Sequence, residues 1–201
     1  MIRVLLADDE NLIRSALAAL LALEDDLQVV AEAASAAEAL AMARATTPDV
    51  AVLDLQLPDR DGISLAAELA AVVPGCGSVI VTGHGRPGHL KRALAAGVRG
   101  FLPKTVNATV LSAVVRTVHQ GGRYVDPELA AEAISAGDSP LTPREADILE
   151  LAAGGAPVEE IAARAHLSPG TVRNHLSAAA AKLHAANRHA AVAEARRHGW
   201  I

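Results

Sequence analysis

Short apolar runs alternate with helical patterns over the first 120 residues of the chain. The apolar runs cover residues 2–7, 27–31, 50–53, 79–81 and 99–102. The helical patterns cover residues 12–23, 36–44, 64–73, 90–96 and 108–120, and the first of them places Leu12, Ala16, Leu20 and Leu23 at helical spacing. Strands buried on both faces are continuously apolar, and short β-α repeats require parallel strands with right-handed crossovers. The pattern therefore predicts a doubly wound α/β domain with a five-stranded parallel sheet over residues 1–121.

Residues 122–138 break this alternation, and no strand-like run follows them. We interpret residues 122–138 as a linker with a short helix at 128–135, and residues 139–201 as a small all-α domain of four helices. Thr142, Pro143 and Glu145 form the pattern of a capping box with proline at the first helical position. Three further helices are predicted to begin near Pro157, at Ser168 and near residue 188. The short turn at 165–167 between the second and third helix predicts a helix-turn-helix.

The composition argues against a disordered protein, a disulfide-bonded protein and a membrane-spanning protein. Apolar residues make up 51% of the chain, charged residues 20% and aromatic residues 1%, which favours closely packed, alanine-rich helices over disorder. The single cysteine, Cys76, excludes an internal disulfide and a cysteine-based zinc site. The longest apolar run, residues 16–23, is far shorter than the ~20 residues that span a bilayer. We expect a cytoplasmic protein without a membrane partner.

The charge differs between the two predicted domains. Residues 1–138 contain 11 basic and 17 acidic side chains, whereas residues 139–201 contain 7 basic and 6 acidic side chains and five of the eight histidines. Such a division suggests two modules with different partners.

Polar side chains follow four of the predicted strands, at the sheet edge where open α/β domains bind their ligands. They are Asp8 and Asp9 after the first strand, Asp54 after the third, Thr82 after the fourth and Lys104 after the fifth. Clustered carboxylates repel one another and need a cation, and hard oxygen ligands suit Mg²⁺ or Mn²⁺. The set predicts phosphoryl transfer onto a carboxylate, with metal and lysine neutralising the phosphate. The alternative is that these charges only cap helices and shield the sheet.

Four stretches carry these side chains: LLADDE (5–10), VLDLQLPDRDG (52–62), VIVTGHGRPG (79–88) and GFLPK (100–104). Together they resemble the receiver domain of bacterial two-component response regulators, which has a flavodoxin-like fold. The resemblance implies that Asp54 is the phospho-accepting aspartate and that Thr82 and Lys104 contact the phosphoryl group. It also implies that Asp9, Asp54 and the backbone carbonyl of Gln56 bind the metal, with Asp8 supporting it through water.

The resemblance further implies that Phe101 rotates on phosphorylation, although plain core packing is an equal alternative. Two departures and two variable positions stand out. Pro103 fixes the backbone before Lys104, and Gly83 replaces a common small residue after the threonine. Gln56 and His84 occupy positions at which receivers tune the lifetime of the phosphate.

Two enzymatic alternatives are disfavoured by the residues. Residues 83–88 match G-x-G-x-x-G, but a dinucleotide site should carry an acidic residue ~20 positions later, and none occurs between Gly83 and Val125. The segment after Asp54 also lacks the second aspartate of a dedicated aspartyl-phosphate hydrolase. We therefore expect no turnover of an external substrate and do not expect an enzyme.

The C-terminal segment contains LTPRE (141–145), EEIA (159–162), LSPGTVRNHL (167–176), KL (182–183) and NR (187–188). In this order and spacing they resemble the four-helix DNA-binding domain of NarL/LuxR-type regulators. Arginine and asparagine side chains read guanine and adenine edges, and a capped helix N-terminus favours phosphate. The predicted DNA contacts are Thr171, Arg173, Asn174 and Ser177 on the reading helix and Lys182, Arg188 and Arg144 to the backbone. The alternative is that the first group only solvates an exposed helix face.

These expectations combine into a two-domain response regulator. A sensor histidine kinase is expected to phosphorylate Asp54 and so control homodimerisation and sequence-specific binding to double-stranded DNA. Because the second domain has few excess positive charges, one copy should bind DNA poorly. Residues 190–201 could form a dimer seam or pack on their own domain. Two alternatives remain: a constitutive DNA-binding factor whose receiver only dimerises, and a phosphotransfer or stand-alone signalling receiver with a non-DNA partner.

Overall fold

The computed structural model describes residues 1–83, 87–135, 137 and 139–201. It divides into two compact units, one that contains residues 1–83 and Leu90–Leu129 and one that contains Ala130–Ile201. His84 and two further positions of the G-x-G-x-x-G segment, as well as residues 136 and 138 of the expected linker, lie outside the described residues.

The first unit is built on a sheet of six parallel strands in its described part. They are β1 (Ile2–Ala7), β2 (Leu27–Ala33), β3 (Val50–Asp54), β4 (Gly77–Thr82), β5 (Gly100–Pro103) and β6 (Tyr124–Val125). Their order across the sheet is β2-β1-β3-β4-β5-β6, and each neighbouring pair is parallel. This is the doubly wound α/β sheet that the alternating pattern predicts, with the flavodoxin-like order at its centre.

The sixth strand is the one element of the sheet that the sequence did not predict. β6 lies in the expected linker and pairs Gly100 with Tyr124 and Phe101 with Val125. The backbone N–H of Tyr124 donates to the Arg99 carbonyl at 2.8 Å. A strand of two residues is too short to show a periodicity, so β6 is set by pairing with β5 and not by a local pattern.

Five helices connect the strands. They are α1 (Asn11–Leu21), α2 (Ala36–Thr46), α3 (Gly62–Val72), α4 (Pro87–Ala95) and α5 (Ala108–His119). Polar N-cap side chains begin three of them: Ser35 accepts from Glu38, Asp61 from Ile63 and Ser64, and Asn107 from Val110. These caps satisfy backbone N–H groups that the first helical turn leaves unpaired, which explains why those helices begin where they do.

The buried face of α1 differs from the stripe that its spacing suggests. Leu12 and Leu23 are 81% and 79% exposed, and Leu20 is also exposed. Leu21 is buried, and Leu17 packs beside it against the core. The spacing correctly predicts a helix, but alanine and leucine occupy both faces of α1, so the pattern does not identify the buried one.

One apolar core of the first unit lies between the sheet and helices α1 and α5. Its buried members include Val4, Val52, Val81 and Leu102 from four adjacent strands. Strand β3 is buried along its whole length. The polar side chains at the strand ends are therefore fixed by an apolar scaffold.

In its described residues, the C-terminal part of the chain consists of helices joined by turns and loops. Its helices are α6 (Pro127–Ser135), α7 (Pro143–Ala152), α8 (Val158–Ala165), α9 (Pro169–Lys182) and α10 (Arg188–Arg197). The capping box of Thr142 and Glu145 is present at the start of α7, and Ser168 caps α9. No helix among the described residues has the length and apolar character needed to cross a bilayer.

A single core joins α7 to α10. Ile148, Leu149, Ile161, Val172 and Leu176 are buried in it. Residue His166 turns the chain between α8 and α9 with a left-handed backbone, φ 52°. Ala191, Ala195 and Ile201 are also buried in this core, so the C-terminal segment packs on its own domain along that face.

Candidate functional site

Four strand ends bring polar groups to one edge of the parallel sheet. Asp8 follows β1, Asp54 ends β3, Thr82 ends β4 and Lys104 follows β5. Asp8, Asp54 and Thr82 are only 3%, 6% and 2% exposed. A buried carboxylate is unfavourable without a partner, so the environment of these two aspartates must supply positive charge or donors.

Lys104 supplies that charge. Its Nζ lies 2.9 Å from Asp8 Oδ2, 3.1 Å from Asp54 Oδ2 and 3.0 Å from Glu10 Oε1. The backbone N–H of Lys104 donates to the Thr82 carbonyl at 2.7 Å. The structure thus brings two of the predicted carboxylates, Asp8 and Asp54, to the predicted Lys104 ammonium, with Thr82 joined to Lys104 through the backbone.

The contacts of Lys104 shift its own pKa and that of Asp54 by different causes. Burial raises the pKa of the Asp54 carboxyl, and the hydrogen bond and attraction of Lys104 only partly oppose that effect. Burial alone would lower the pKa of Lys104, but its hydrogen bonds to Asp8, Glu10 and Asp54 together raise it. Three carboxylates favour the charged form of Lys104, whereas Asp54 has one cation beside it, and that cation does not offset the effect of burial on its pKa.

Glu10 is a member of the site that sequence reasoning missed. The side chains of Asp8, Glu10 and Asp54 each present an oxygen within 4.8 Å of the other two. Its position directly after the predicted aspartate pair was the available signal. Asp9 is exposed and is not part of this carboxylate cluster, so its role as a metal ligand stays a prediction.

The donor set fits a hard divalent cation. Three carboxylates at this spacing offer oxygen ligands, which Mg²⁺ and Mn²⁺ prefer. The backbone N–H of Gln56 donates to Asp54, and Gln56 pairs with Asp61 in a short antiparallel bridge. The loop after β3 is therefore held close to the Asp54 carboxylate.

Hydrogen bonds of Asp59 and Gly62 also hold the loop between β3 and α3 in place. Asp59 accepts hydrogen bonds from the backbone N–H groups of Ala36 and Ala37 at 2.8 and 2.9 Å. Burial opposes the charge of Asp59, but these bonds lower the pKa of its carboxyl below the ordinary range. Gly62 begins α3, and its N–H donates to the Leu55 carbonyl at 2.8 Å. Capping of α2 and α3 thus fixes the segment that follows Asp54.

Phe101 is fully buried in β5, where it pairs with Ile80. That position is consistent with core packing. Rotation of the Phe101 side chain on phosphorylation stays a prediction. Pro103, the last residue of β5, pairs with Thr82, the last residue of β4.

The predicted reading helix is α9. Arg173, Asn174 and Ser177 are exposed, and Thr171 is half-buried. The hydroxyl groups of Thr171 and Ser168 lie 2.8 Å apart, which fixes the first turn of α9. Arg173 Nη2 lies 3.3 Å from Glu159 Oε1 of α8. The exposed arginine and asparagine occupy the N-terminal half of a capped helix, the arrangement that enters a major groove.

The remaining predicted DNA contacts take part in interactions within the domain. Lys182 Nζ lies 2.7 Å from Glu145 Oε2, and Glu145 also accepts from the Thr142 backbone. Arg188 donates to the Ala156 carbonyl at 3.3 Å, and Arg144 donates to a carbonyl at the end of α8. Lys182 and Arg188 are not fully buried, so contact with DNA phosphates stays a prediction for both.

Comparison with known proteins identifies the family. The family model for the response regulator receiver domain matches residues 4–116, and that for bacterial regulatory proteins of the luxR family matches residues 139–195. DesR, a transcriptional regulatory protein of Bacillus subtilis (strain 168), is 37% identical over 201 residues, covering 100% of both chains. The chain belongs to the response regulators of the NarL/LuxR type.

Other response regulators share this organisation. UhpA of Escherichia coli (strain K12) is 42% identical over 172 residues, with 86% of each chain covered. The crystal structure of ChrA, a response regulator in a heme-sensing two-component system, matches with 33% identity and a TM-score of 0.59 over 100% of this chain and 98% of its own. The present response regulator therefore combines a receiver domain with a LuxR-type DNA-binding domain and belongs to a family of transcriptional regulators.

Proposed function

We propose that this response regulator accepts a phosphoryl group on Asp54 from a cognate sensor histidine kinase. Phosphorylation then promotes homodimerisation and sequence-specific binding to double-stranded DNA, and so controls transcription. The observation that carries the proposal is the buried Asp54 carboxylate, which lies 3.1 Å from the ammonium of Lys104 at the end of a central strand. ChrA, whose description places it in a two-component system, supports kinase control by analogy.

Phosphoryl transfer to Asp54 requires a nucleophilic carboxylate oxygen and positive charge beside it. An oxygen of Asp54 attacks the phosphorus atom, and the bond between phosphorus and the donor's imidazole nitrogen breaks. The electron pair of that bond stays on the nitrogen, which takes up a proton. Lys104 neutralises the charge on the transferred group, and the surrounding apolar strands strengthen that attraction.

The metal prediction is compatible with the donor set. Asp8, Asp9, Asp54 and the backbone carbonyl of Gln56 would hold Mg²⁺ or Mn²⁺, and the bound ion would neutralise phosphoryl oxygens. The two carboxylates of Asp8 and Asp54 would repel each other, and Lys104 keeps them together at the sheet edge because it contacts both.

Transmission of the signal follows the strands next to Asp54. Thr82 moves toward the phosphoryl group, and Phe101 turns into the space that this movement leaves. These changes shift an existing equilibrium toward the dimer that binds DNA. The pairing of β4 with β5 supports this path, since it joins Thr82 to the strand that carries Phe101.

We assign residues 1–121 to the receiver, 122–138 to the linker and 139–201 to the DNA-binding domain. Within the last, Thr171, Arg173, Asn174 and Ser177 read base edges, while Lys182 and Arg188 contact phosphates. The exposure of Arg173 and Asn174 on a capped helix supports the first group. The domain contains 7 basic and 6 acidic side chains, so two copies are needed for tight binding.

The experiment that tests the proposal is labelling with acetyl phosphate in the presence of Mg²⁺, resolved on a phosphate-affinity gel. The wild-type protein should shift and Asp54→Asn should not. Retained labelling of Asp54→Asn would place the phosphoacceptor elsewhere. Mobility-shift titration should then show tighter DNA binding by the phosphorylated protein, whereas equal affinity of both forms would identify a constitutive DNA-binding factor.

A further inference from the structure

Glu10 occupies a helix cap but does not act as one. It stands at the N-cap of α1 and makes no side-chain capping hydrogen bond. An N-cap side chain normally accepts from the first helical turn, and that contact stabilises the helix. Instead, the Glu10 carboxylate lies 3.0 Å from Lys104 Nζ, 94 residues away along the chain. This contact suggests a role at the phosphoacceptor and not in the helix.

Lys104 has no spare donor in this arrangement. An ammonium group carries three N–H donors, and Asp8, Glu10 and Asp54 lie within 2.9 to 3.1 Å of Nζ. Phosphorylation turns the Asp54 carboxylate into the uncharged carbonyl end of an acyl phosphate, whereas Asp8 and Glu10 keep their negative charges. To contact the phosphoryl oxygens, Lys104 must therefore turn toward them from carboxylates that still attract it, and a resident carboxylate competes with the incoming group.

The two partners that stay charged differ in what their release would cost. The Asp8 side chain is 4% exposed, so its carboxylate would remain in an apolar surrounding without its cation. Asp8 Oδ1 also accepts the Glu10 backbone N–H at 2.9 Å, which holds it in place. The Glu10 side chain is 62% exposed, so its carboxylate can return to water at little cost.

We propose that Glu10 is the exchangeable partner of Lys104: it holds the ammonium in the unphosphorylated receiver and yields it to the phosphoryl group. Glu10 is thus a positioning residue that sets how readily the phosphorylated state forms. This inference rests on the proposed phosphorylation of Asp54.

The test is the affinity for beryllofluoride, a phosphoryl analogue, measured by fluorine NMR on the full-length protein at saturating Mg²⁺. Glu10→Gln keeps the size and an acceptor oxygen but removes the charge that competes for Lys104. Binding should tighten by about two- to five-fold, the range expected when an exposed ion pair no longer has to be broken.

Glu32→Gln is the matched control. Glu32 lies at the same end of the sheet and contacts Arg14 at 3.9 Å, so its substitution removes one negative charge without touching Lys104. Tighter binding by Glu10→Gln alone supports the exchange. An unchanged or weaker affinity of Glu10→Gln, or an equal gain in Glu32→Gln, overturns it. If the wild-type protein itself binds no beryllofluoride, the proposed phosphorylation fails and this inference with it.

Discussion

Gly62 lies directly against the backbone of Asp54. A Cβ atom at Gly62 would stand 2.0 Å from the Asp54 carbonyl oxygen and 3.0 Å from its carbonyl carbon. Because backbone atoms cannot yield as a flexible side chain can, any larger residue must move α3 away from the end of β3. Strand β3 and helix α3 can therefore lie in direct contact only because residue 62 has no side chain.

This contact predicts the effect of Gly62→Ala. Overpacking of this kind destabilises a domain by about 1–3 kcal/mol, and the displaced loop should also slow acetyl-phosphate labelling of Asp54. Chemical denaturation and labelling rates measure the two effects. Gly154→Ala is the control, since a Cβ there meets no atom within 4 Å. Equal stability and labelling of Gly62→Ala and wild type would show that the loop adapts without disturbing the site.

The buried charge of Asp54 predicts a pH-dependent stability. Burial raises the pKa of this carboxyl, so ionisation of Asp54 favours the unfolded chain. Asp54→Asn should therefore unfold at higher denaturant concentration than wild type near pH 7. The difference should shrink as the pH falls toward the ordinary aspartate pKa of 3.8 and disappear below it, where Asp54 is protonated in both states.

The comparison is made in metal-free buffer, because a bound cation would stabilise the ionised form. Asp25→Asn, which alters an exposed carboxylate, is the control and should show no such pH-dependent gain. A lower stability of Asp54→Asn than of wild type at pH 7 would mean that the Lys104 contact outweighs the cost of burial.

The sequence predicted those features that local pattern determines. Continuous apolar runs located the first five strands, and the Thr142 capping box located the start of α7, because both depend on residues within a few positions of each other. The buried face of α1 could not be predicted, since leucine and alanine surround that helix. Strand β6 could not be predicted either, because its pairing with β5 and not its own two residues defines it.

The polar site at the strand ends shows the same limit. Asp8, Asp54 and Lys104 were predicted because each follows an apolar run, and parallel strands bring such ends together. Glu10 was missed because its side chain leaves the cap of α1 and reaches a lysine on another strand, a contact that no local spacing encodes. The pairing of Lys182 with Glu145 was missed for the same reason, since it joins α7 to α9.

The Lys182–Glu145 pair predicts a structural role for a residue assigned to DNA. Burial opposes the charge of Glu145, but hydrogen bonds from Lys182 and Thr142 lower the pKa of its carboxyl. Lys182→Met leaves that carboxylate without its cation, and stability at pH 7 should fall by roughly 1 kcal/mol. A lowered pKa stabilises the fold above the ordinary glutamate value of 4.5, so the loss should vanish as the pH falls below it.

The DNA role of Lys182 is measured separately. If Lys182 contacts a phosphate, Lys182→Met should lower the slope of log affinity against log salt by about 0.9 for each copy in the complex. Glu145→Gln retains Lys182 and serves as the control, with the slope preserved. A slope unchanged in Lys182→Met would restrict this lysine to its contact with Glu145.

The last prediction concerns Glu159 and Arg173, which form an ion pair between α8 and α9 at 3.3 Å. Both side chains are mostly exposed, at 68% and 60%, so the pair is weak and opens readily. When Arg173 reads a base, it must leave Glu159 or share it, and the carboxylate also repels DNA phosphates. Glu159→Gln should therefore tighten DNA binding by about two- to five-fold, measured by fluorescence anisotropy with a duplex selected from a random library.

Glu160 provides a matched control on the same helix. It pairs with Arg164 at 3.8 Å, one turn away on α8, and not with the reading helix. Glu160→Gln removes the same charge without releasing Arg173, so any gain it shows measures phosphate repulsion alone. A larger gain in Glu159→Gln assigns the excess to Arg173. Equal affinities of the two variants would mean that the Glu159 pair does not restrain Arg173, and its base contact would then depend on α9 alone.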